Sequence, residues 1–122
     1  MTKRILIIDD EEPVRNSFLL ALEETDFSVD TAAGGQEGLE KLKTVDYDLI
    51  FLDLKMPGMN GIETLRKIRK RNKKVLVYIV TAFAKEFFHD LKALREENIE
   101  FEVMQKPLGL DQIEEVASAL LR

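Results

Sequence analysis

Five side chains of this protein could do chemistry together, four of them directly after an aliphatic run and the fifth shortly after a weaker apolar stretch. Asp9 and Asp10 follow Ile5–Ile8, Asp53 follows Leu49–Leu52, Thr81 follows Val75–Val80, and Lys106 comes shortly after Met104. Each acid taken alone is an ordinary turn former or helix cap. Their joint placement is harder to explain by turn chemistry. Carboxylates brought close together push one another toward the protonated form unless a cation joins them. A hard divalent ion suits an all-oxygen set, and magnesium takes one or two carboxylates, keeps waters and accepts phosphate oxygens. Asp9, Asp10 and Asp53 carry −3, and Mg²⁺ with Lys106 would carry +3. A carboxylate beside a metal and an ammonium can attack phosphorus and form an acyl phosphate. The Thr81 hydroxyl could donate to one of the transferring oxygens.

Such convergence needs elements that end at one edge. The three runs named above are continuous, as in strands buried on both faces of a parallel sheet. Phe27–Ala32 and Phe101–Met104 are weaker strands. Between them lie helical patterns: Val14, Phe18, Ala21 and Leu22; a short helix over Gln36–Lys43; Ile62, Leu65 and Ile68; Phe87, Leu91 and Leu94; and Ile113, Val116, Ala117 and Leu120. Regular β/α alternation predicts right-handed crossovers and a three-layer α/β sandwich. In strand order 2-1-3-4-5 the first and third strands are neighbours at the switch point. Ligands bind outside the carboxyl edge there, which puts Asp9, Asp10 and Asp53 side by side. Pro57-Gly58 and Asn60-Gly61 read as turn dipeptides shaping the loop after Asp53.

Composition bounds the rest. The 122 residues suffice for one domain, expected over 1–122, and 45% hydrophobic with 34% charged residues describes a globular chain. The net charge of −5 disfavours general affinity for nucleic acid or anionic membrane. The basic stretch RKIRKRNKK, 66–74, reads as the solvated end of the third helix rather than a nucleic-acid contact. Cysteine is absent, which removes thiolate chemistry and disulfides. The apolar stretch near the N-terminus is too short for a secretory signal and no run is long enough to span a bilayer. The expected location is the cytoplasm.

The stretches ILIIDDEEPVR, DLIFLDLKMPGMNGIE, VYIVTAFA and VMQKPLGL resemble the receiver domain of two-component response regulators, over the whole chain. The resemblance implies a flavodoxin-like (βα)₅ fold of the stand-alone, single-domain type. It implies phosphoryl transfer from a phosphohistidine on a sensor histidine kinase, and a downstream protein target or phosphotransfer protein. Asp53 would be the acceptor. Asp10 and Asp53 would ligate Mg²⁺ directly, Asp9 through water, and the Lys55 carbonyl would complete the protein ligands. Thr81 would be the switch hydroxyl and Lys106 the phosphate-binding lysine. Ala82 is small enough to leave room for a phosphoryl oxygen. The family also associates Lys-Pro, here Lys106-Pro107, with a cis peptide.

Two departures from the family pattern carry expectations. Val103 stands where an aromatic is usual, so activation is expected to rely on Thr81 and the loop after it, with little movement of the fifth strand. Lys55 and Phe83 flank the path of in-line water in the family, and both are bulky here, so slow self-dephosphorylation is expected. On the first helix Leu20 lies opposite Val14, Phe18 and Leu22, and Pro13, Asn16 and Ser17 share its side. These residues are the candidate kinase-docking face, as the family uses this helix. His89, the single histidine, falls opposite the apolar face of the fourth helix and is no phosphocarrier. Phosphatases of the haloacid-dehalogenase type would need an acid where Lys55 stands. Flavodoxins would need a Ser/Thr/Gly-rich phosphate loop where DDEE stands. The alternative from another class is a phosphorylation-independent interaction module.

Overall fold

The computed structural model describes residues 2–122. Strands and helices alternate from β1 (Arg4–Ile8), α1 (Glu12–Leu22), β2 (Ser28–Ala32), α2 (Gly35–Leu42) and β3 (Leu49–Leu52) onward. The second half holds α3 (Gly61–Arg71), β4 (Leu76–Thr81), α4 (Phe88–Glu96), β5 (Glu102–Gln105) and α5 (Leu110–Leu121). All pairings are parallel and the strand order is β2-β1-β3-β4-β5. This is the flavodoxin-like order expected from the sequence.

The continuous aliphatic runs are explained by burial on both faces. Leu6, Ile8, Ile50, Leu52, Val77 and Ile79 face Leu39, Ile62, Leu65, Ile68 and Leu94 from α2, α3 and α4. Ile5, Ile7, Leu49, Phe51 and Val80 face Phe18, Leu22, Ile113 and Ala117 from α1 and α5. The alternation is the period-two pleat, with each strand feeding two cores. Phe18 and Phe51 pack ring against ring across the second core, centroids 4.9 Å apart.

Helix 3 shows how local sequence sets the boundary that shapes the site. Asn60 is its cap, accepting from the Glu63 N–H at 3.0 Å. Its last turn carries Arg69, Lys70 and Arg71, which complement the helix dipole. Arg69 also donates to the carbonyls of Glu100 and Val75, and Arg66 pairs with Glu97 at 2.7 Å. The basic stretch thus ties α3 to the end of α4.

Several expectations need correction. Asn60-Gly61 is not a turn: Asn60 caps a helix that Gly61 begins, and only Gly58 of the two loop glycines has positive φ, at 73°. Leu120 is exposed, and Leu121 takes its place against the second core. Phe87 caps α4 instead of lying within it, and Leu94 is the one fully buried residue of that helix. Phe27 and Phe101 precede β2 and β5; Phe101 is nonetheless buried.

Candidate functional site

The parallel register delivers the strand ends to one rim. Ile8 pairs with Leu52 and with Ala32, and Thr81 pairs with Gln105. The residues just past these positions therefore surround one depression. Carboxylate oxygens of Asp9, Asp10 and Asp53 all lie within 4.8 Å of one another. Asp9 and Asp53 are buried and Asp10 is half-buried.

Each acid is fixed by its own loop. Asp9 Oδ1 accepts from the Glu11 N–H at 2.9 Å, and its carbonyl accepts from the Arg15 guanidinium at 2.8 Å. Asp53 Oδ1 accepts from the Leu54 N–H at 2.9 Å, and the Asp53 N–H donates to the Ile8 carbonyl at 2.9 Å. Gly61 permits this arrangement. A Cβ there would collide with the Asp53 carbonyl oxygen and come within 2.7 Å of the Leu54 Cα. Both are backbone atoms, which cannot rotate out of the way. The Gly61 N–H closes the loop by donating to Leu54 O at 2.8 Å.

Lys106 reaches into the cluster from the end of β5. Its Nζ donates to Asp9 Oδ2 at 2.8 Å and stands 3.6 Å from Asp53 Oδ2, with a Glu11 oxygen at 3.8 Å. The peptide Lys106-Pro107 is cis. Burial raises the Asp53 carboxyl above its ordinary value, and the Asp9 charge raises it further. Lys106 and the Leu54 N–H pull the other way, and Asp10 adds to the rise, leaving it at about 6. Burial by itself would lower the Lys106 ammonium. The Asp9 hydrogen bond and the charges of Asp53, Asp9 and Glu11 outweigh that and hold it above its ordinary value.

The observations fit a divalent cation. The donors are all oxygen, they converge, and the Asp53 carboxyl is raised by burial and by the neighbouring Asp9 charge, which a cation would offset. Lys55, whose carbonyl was expected among the ligands, lies on the same loop, two residues past Asp53.

The remaining candidates fall as follows. Thr81 is buried, and its Oγ1 accepts from the Phe83 N–H at 2.9 Å, which leaves its own proton free to donate. Ala82 is exposed. Phe83 is 41% exposed, and its ring lies beneath the Lys55 ammonium, 4.4 Å from the centroid. The Lys55 ammonium also pairs with Glu86 at 3.3 Å. Pro13, Asn16, Ser17 and Leu20 share an exposed face of α1, with Leu20 53% exposed. The Ser17 hydroxyl is already used, donating to the Pro13 carbonyl at 3.0 Å. His89 is exposed, as its helical phase requires.

Glu11, Arg15 and Glu86 were not singled out from sequence. The acidic run DDEE contained Glu11 but did not reveal that its N–H, as well as its charge, serves Asp9. Gly61 had a signal in the dipeptide Asn60-Gly61, read there as a turn.

Comparison with known proteins matches this geometry to a family. The family model for the response regulator receiver domain matches residues 5–118. The alkaline phosphatase synthesis transcriptional regulatory protein PhoP of Bacillus subtilis is 34% identical over 100% of this chain, which spans 50% of PhoP. Response regulator ArlR of Staphylococcus aureus is 42% identical over 65% of this chain, and the match covers 36% of ArlR. The chain thus spans half or less of these curated relatives. Among solved structures, the response regulator TrrA of Thermotoga maritima, in complex with Mg²⁺–BeF, has a TM-score of 0.81 at 33% identity. That match covers 98% of this chain and 100% of TrrA. A receiver domain protein from Methanospirillum hungatei has a TM-score of 0.85 at 29% identity, covering 98% of this chain and 94% of that one. With a family match across nearly all of its length and this topology, the chain belongs to the response regulator receiver domains.

Proposed function

We propose that this receiver domain accepts a phosphoryl group on Asp53 from the phosphohistidine of a sensor histidine kinase, and that it passes the signal to a downstream protein target or phosphotransfer protein. One observation carries the proposal. Asp53, whose Oδ1 accepts from the Leu54 N–H, faces two other acids and the Lys106 ammonium at a strand-end rim. TrrA, a relative of the same fold, was crystallised with Mg²⁺–BeF.

Asp53 Oδ1 is held by the Leu54 N–H, which leaves Oδ2, facing Lys106, as the nucleophile. It attacks phosphorus, the P–O bond forms and the P–N bond breaks. The electron pair returns to the imidazole, which leaves neutral when its other ring nitrogen carries the proton. Asp10 and Asp53 would hold Mg²⁺ directly, Asp9 through water and Lys55 through its carbonyl. The ion supplies positive charge to the transferring oxygens when bound. Lys106 turns from Asp9 to a phosphoryl oxygen, and the Thr81 hydroxyl donates to another. Ala82 leaves that oxygen space. Bulky Phe83 and Lys55 restrict in-line water and slow self-dephosphorylation. The exposed α1 face of Pro13, Asn16, Ser17 and Leu20 would receive the kinase.

No helix among the described residues is long and apolar enough to cross a membrane, and the proposed setting is the cytoplasm, in one domain over 1–122. The test is incubation with acetyl phosphate and Mg²⁺, read by intact mass. One phosphoryl group is expected on the wild type, none without Mg²⁺ and none on Asp53→Asn. Unmodified wild type under all conditions would give the function to the alternative, an interaction module that never takes phosphate.

A further inference from the structure

We infer that Glu86 is a positioning residue for this reaction. It holds the Lys55 ammonium on the Phe83 ring in the resting domain and yields it to the phosphoryl group once Asp53 is modified. The inference rests on Asp53 being the acceptor, as proposed above.

Lys106 is the ammonium closest to Asp53, and it is hydrogen-bonded to Asp9. The next cation along the same loop is Lys55, two residues past Asp53. Two groups of the opposite loop hold its ammonium. The Glu86 carboxylate lies at 3.3 and 3.5 Å, and the face of Phe83 lies at 4.4 Å. Glu86 and Phe83 both belong to the β4–α4 segment that begins at Thr81. The Phe83 N–H in turn donates to the Thr81 hydroxyl oxygen at 2.9 Å. A single chain of contacts thus runs from Thr81 through Phe83 to the Lys55 ammonium and Glu86. It joins the loop that carries the acceptor to the loop that carries the hydroxyl.

Charge decides the exchange. Glu86 offers one negative charge in an exposed pair, its side chain and that of Lys55 each 52% accessible. An exposed pair is weak and is screened by salt. The exposed cation–π contact is weak as well. A phosphoryl group on Asp53 carries close to two negative charges and lies in a partly desolvated site, where attraction is stronger. The ammonium moves to the better partner. Phe83 and Glu86 then give up their resting tie to the Lys55 ammonium, and the segment 82–87 can settle into a new order around Thr81 as that hydroxyl acquires a new hydrogen-bond partner.

The test follows phosphorylation by subsaturating acetyl phosphate with Mg²⁺ in wild type, Glu86→Gln, Lys55→Met and the double variant, by intact mass. Glu86→Gln frees Lys55 and is expected to react about two- to fivefold faster than wild type. The gain should vanish in the Lys55→Met background. It should also shrink from about 0.05 to about 0.5 M salt, where screening already weakens the wild-type pair. A gain that persists without Lys55, or no gain at all, overturns the inference. A second readout needs no turnover. The Lys55 Cε protons of the metal-free wild type should be shifted upfield by the Phe83 ring current, and Mg²⁺ with beryllium fluoride should abolish the shift. An unchanged ring-current shift in the saturated domain overturns the release step. Phosphorylated wild type with an indifferent Glu86→Gln variant sinks only this inference. Wild type that takes no phosphate sinks the acceptor reading and this inference with it.

Discussion

Asp53 is a buried carboxyl beside a second buried carboxyl. It is 4% exposed, next to Asp9, and its carboxyl sits at about 6 against 3.8 for the ordinary side chain. The folded state therefore binds this proton more tightly than the unfolded chain does. By linkage, the contribution of this group to stability is fully present below pH 3.8 and is lost as pH rises through about 6. Asp53→Asn removes the buried charge and keeps the oxygen that accepts from Leu54. It should stabilise the metal-free domain by about 1–3 kcal/mol at pH 7.5. Near pH 4 the two proteins should unfold together. Saturating Mg²⁺ should narrow the gap at pH 7.5, since it binds only the folded wild-type site. Urea midpoints of the pair at both pH values, with and without Mg²⁺, check all three expectations. An Asn variant no more stable than wild type at pH 7.5 would mean that Lys106 already compensates the site.

Helix 3 positions Asp53 through one missing side chain. Gly→Ala within a helix ordinarily favours folding by up to about 1 kcal/mol. At Gly61 the new methyl would meet the backbone of Asp53 and Leu54, whereas at Gly38, in α2, it would meet the side chain of Ile8 and no backbone. Gly61→Ala should therefore cost about 2 kcal/mol or more and also impair Mg²⁺-dependent phosphorylation, since it displaces the acceptor loop. Gly38→Ala should cost clearly less and leave phosphorylation intact. Equal costs, or an active Gly61→Ala protein, would count against the close-approach argument. The exposed face of α1 gives a simpler expectation: Leu20→Asp should slow transfer from the kinase and leave acetyl phosphate labelling unaffected, because Leu20 does not contribute to either core.

The elements were legible in proportion to their burial. Strands β1 and β3 lie between two cores and read as unbroken aliphatic runs. At the edge, β5 is mostly exposed and its limits were misplaced. Helix α4 buries one residue, too few for its phase to fix a start. The meeting of Asp9, Asp10 and Asp53 was legible because topology alone brings strand ends together. The contacts that set the resting state were not. Lys106 on Asp9, and Lys55 on Glu86 and Phe83, join residues far apart in sequence, and a choice among several acids depends on rotamers, not on spacing. Gly61 was misread for a related reason: Asn-Gly suits a turn and a helix start alike, and only the nearby Asp53 backbone decides between them.

Taken whole, the molecule is uneven in stability. Ile5, Leu6, Ile7 and Ile8 of β1 and all of β3 are essentially inaccessible, so their amides should exchange with solvent only through global unfolding. Between Ala82 and Asp90 only Ala84 and Phe87 are even half-buried, and α4 is anchored by Leu94 with only Leu91 packed beside it. Amides there should open locally, with protection at least about a hundredfold below that of the central strands. This soft segment begins at Thr81, so it is the part of the fold that a change at Asp53 can order most cheaply. Strand β5 offers less. Val103 is short and partly exposed, with no long side chain to swing into the core. On adding Mg²⁺ and beryllium fluoride, hydrogen exchange should therefore slow across 82–88, and β5 and α5 should keep their rates. If protection instead changes throughout Glu102–Gln105 and α5 while 82–88 stays as it was, the signal travels through the fifth strand despite its valine, and the loop after Thr81 is a bystander.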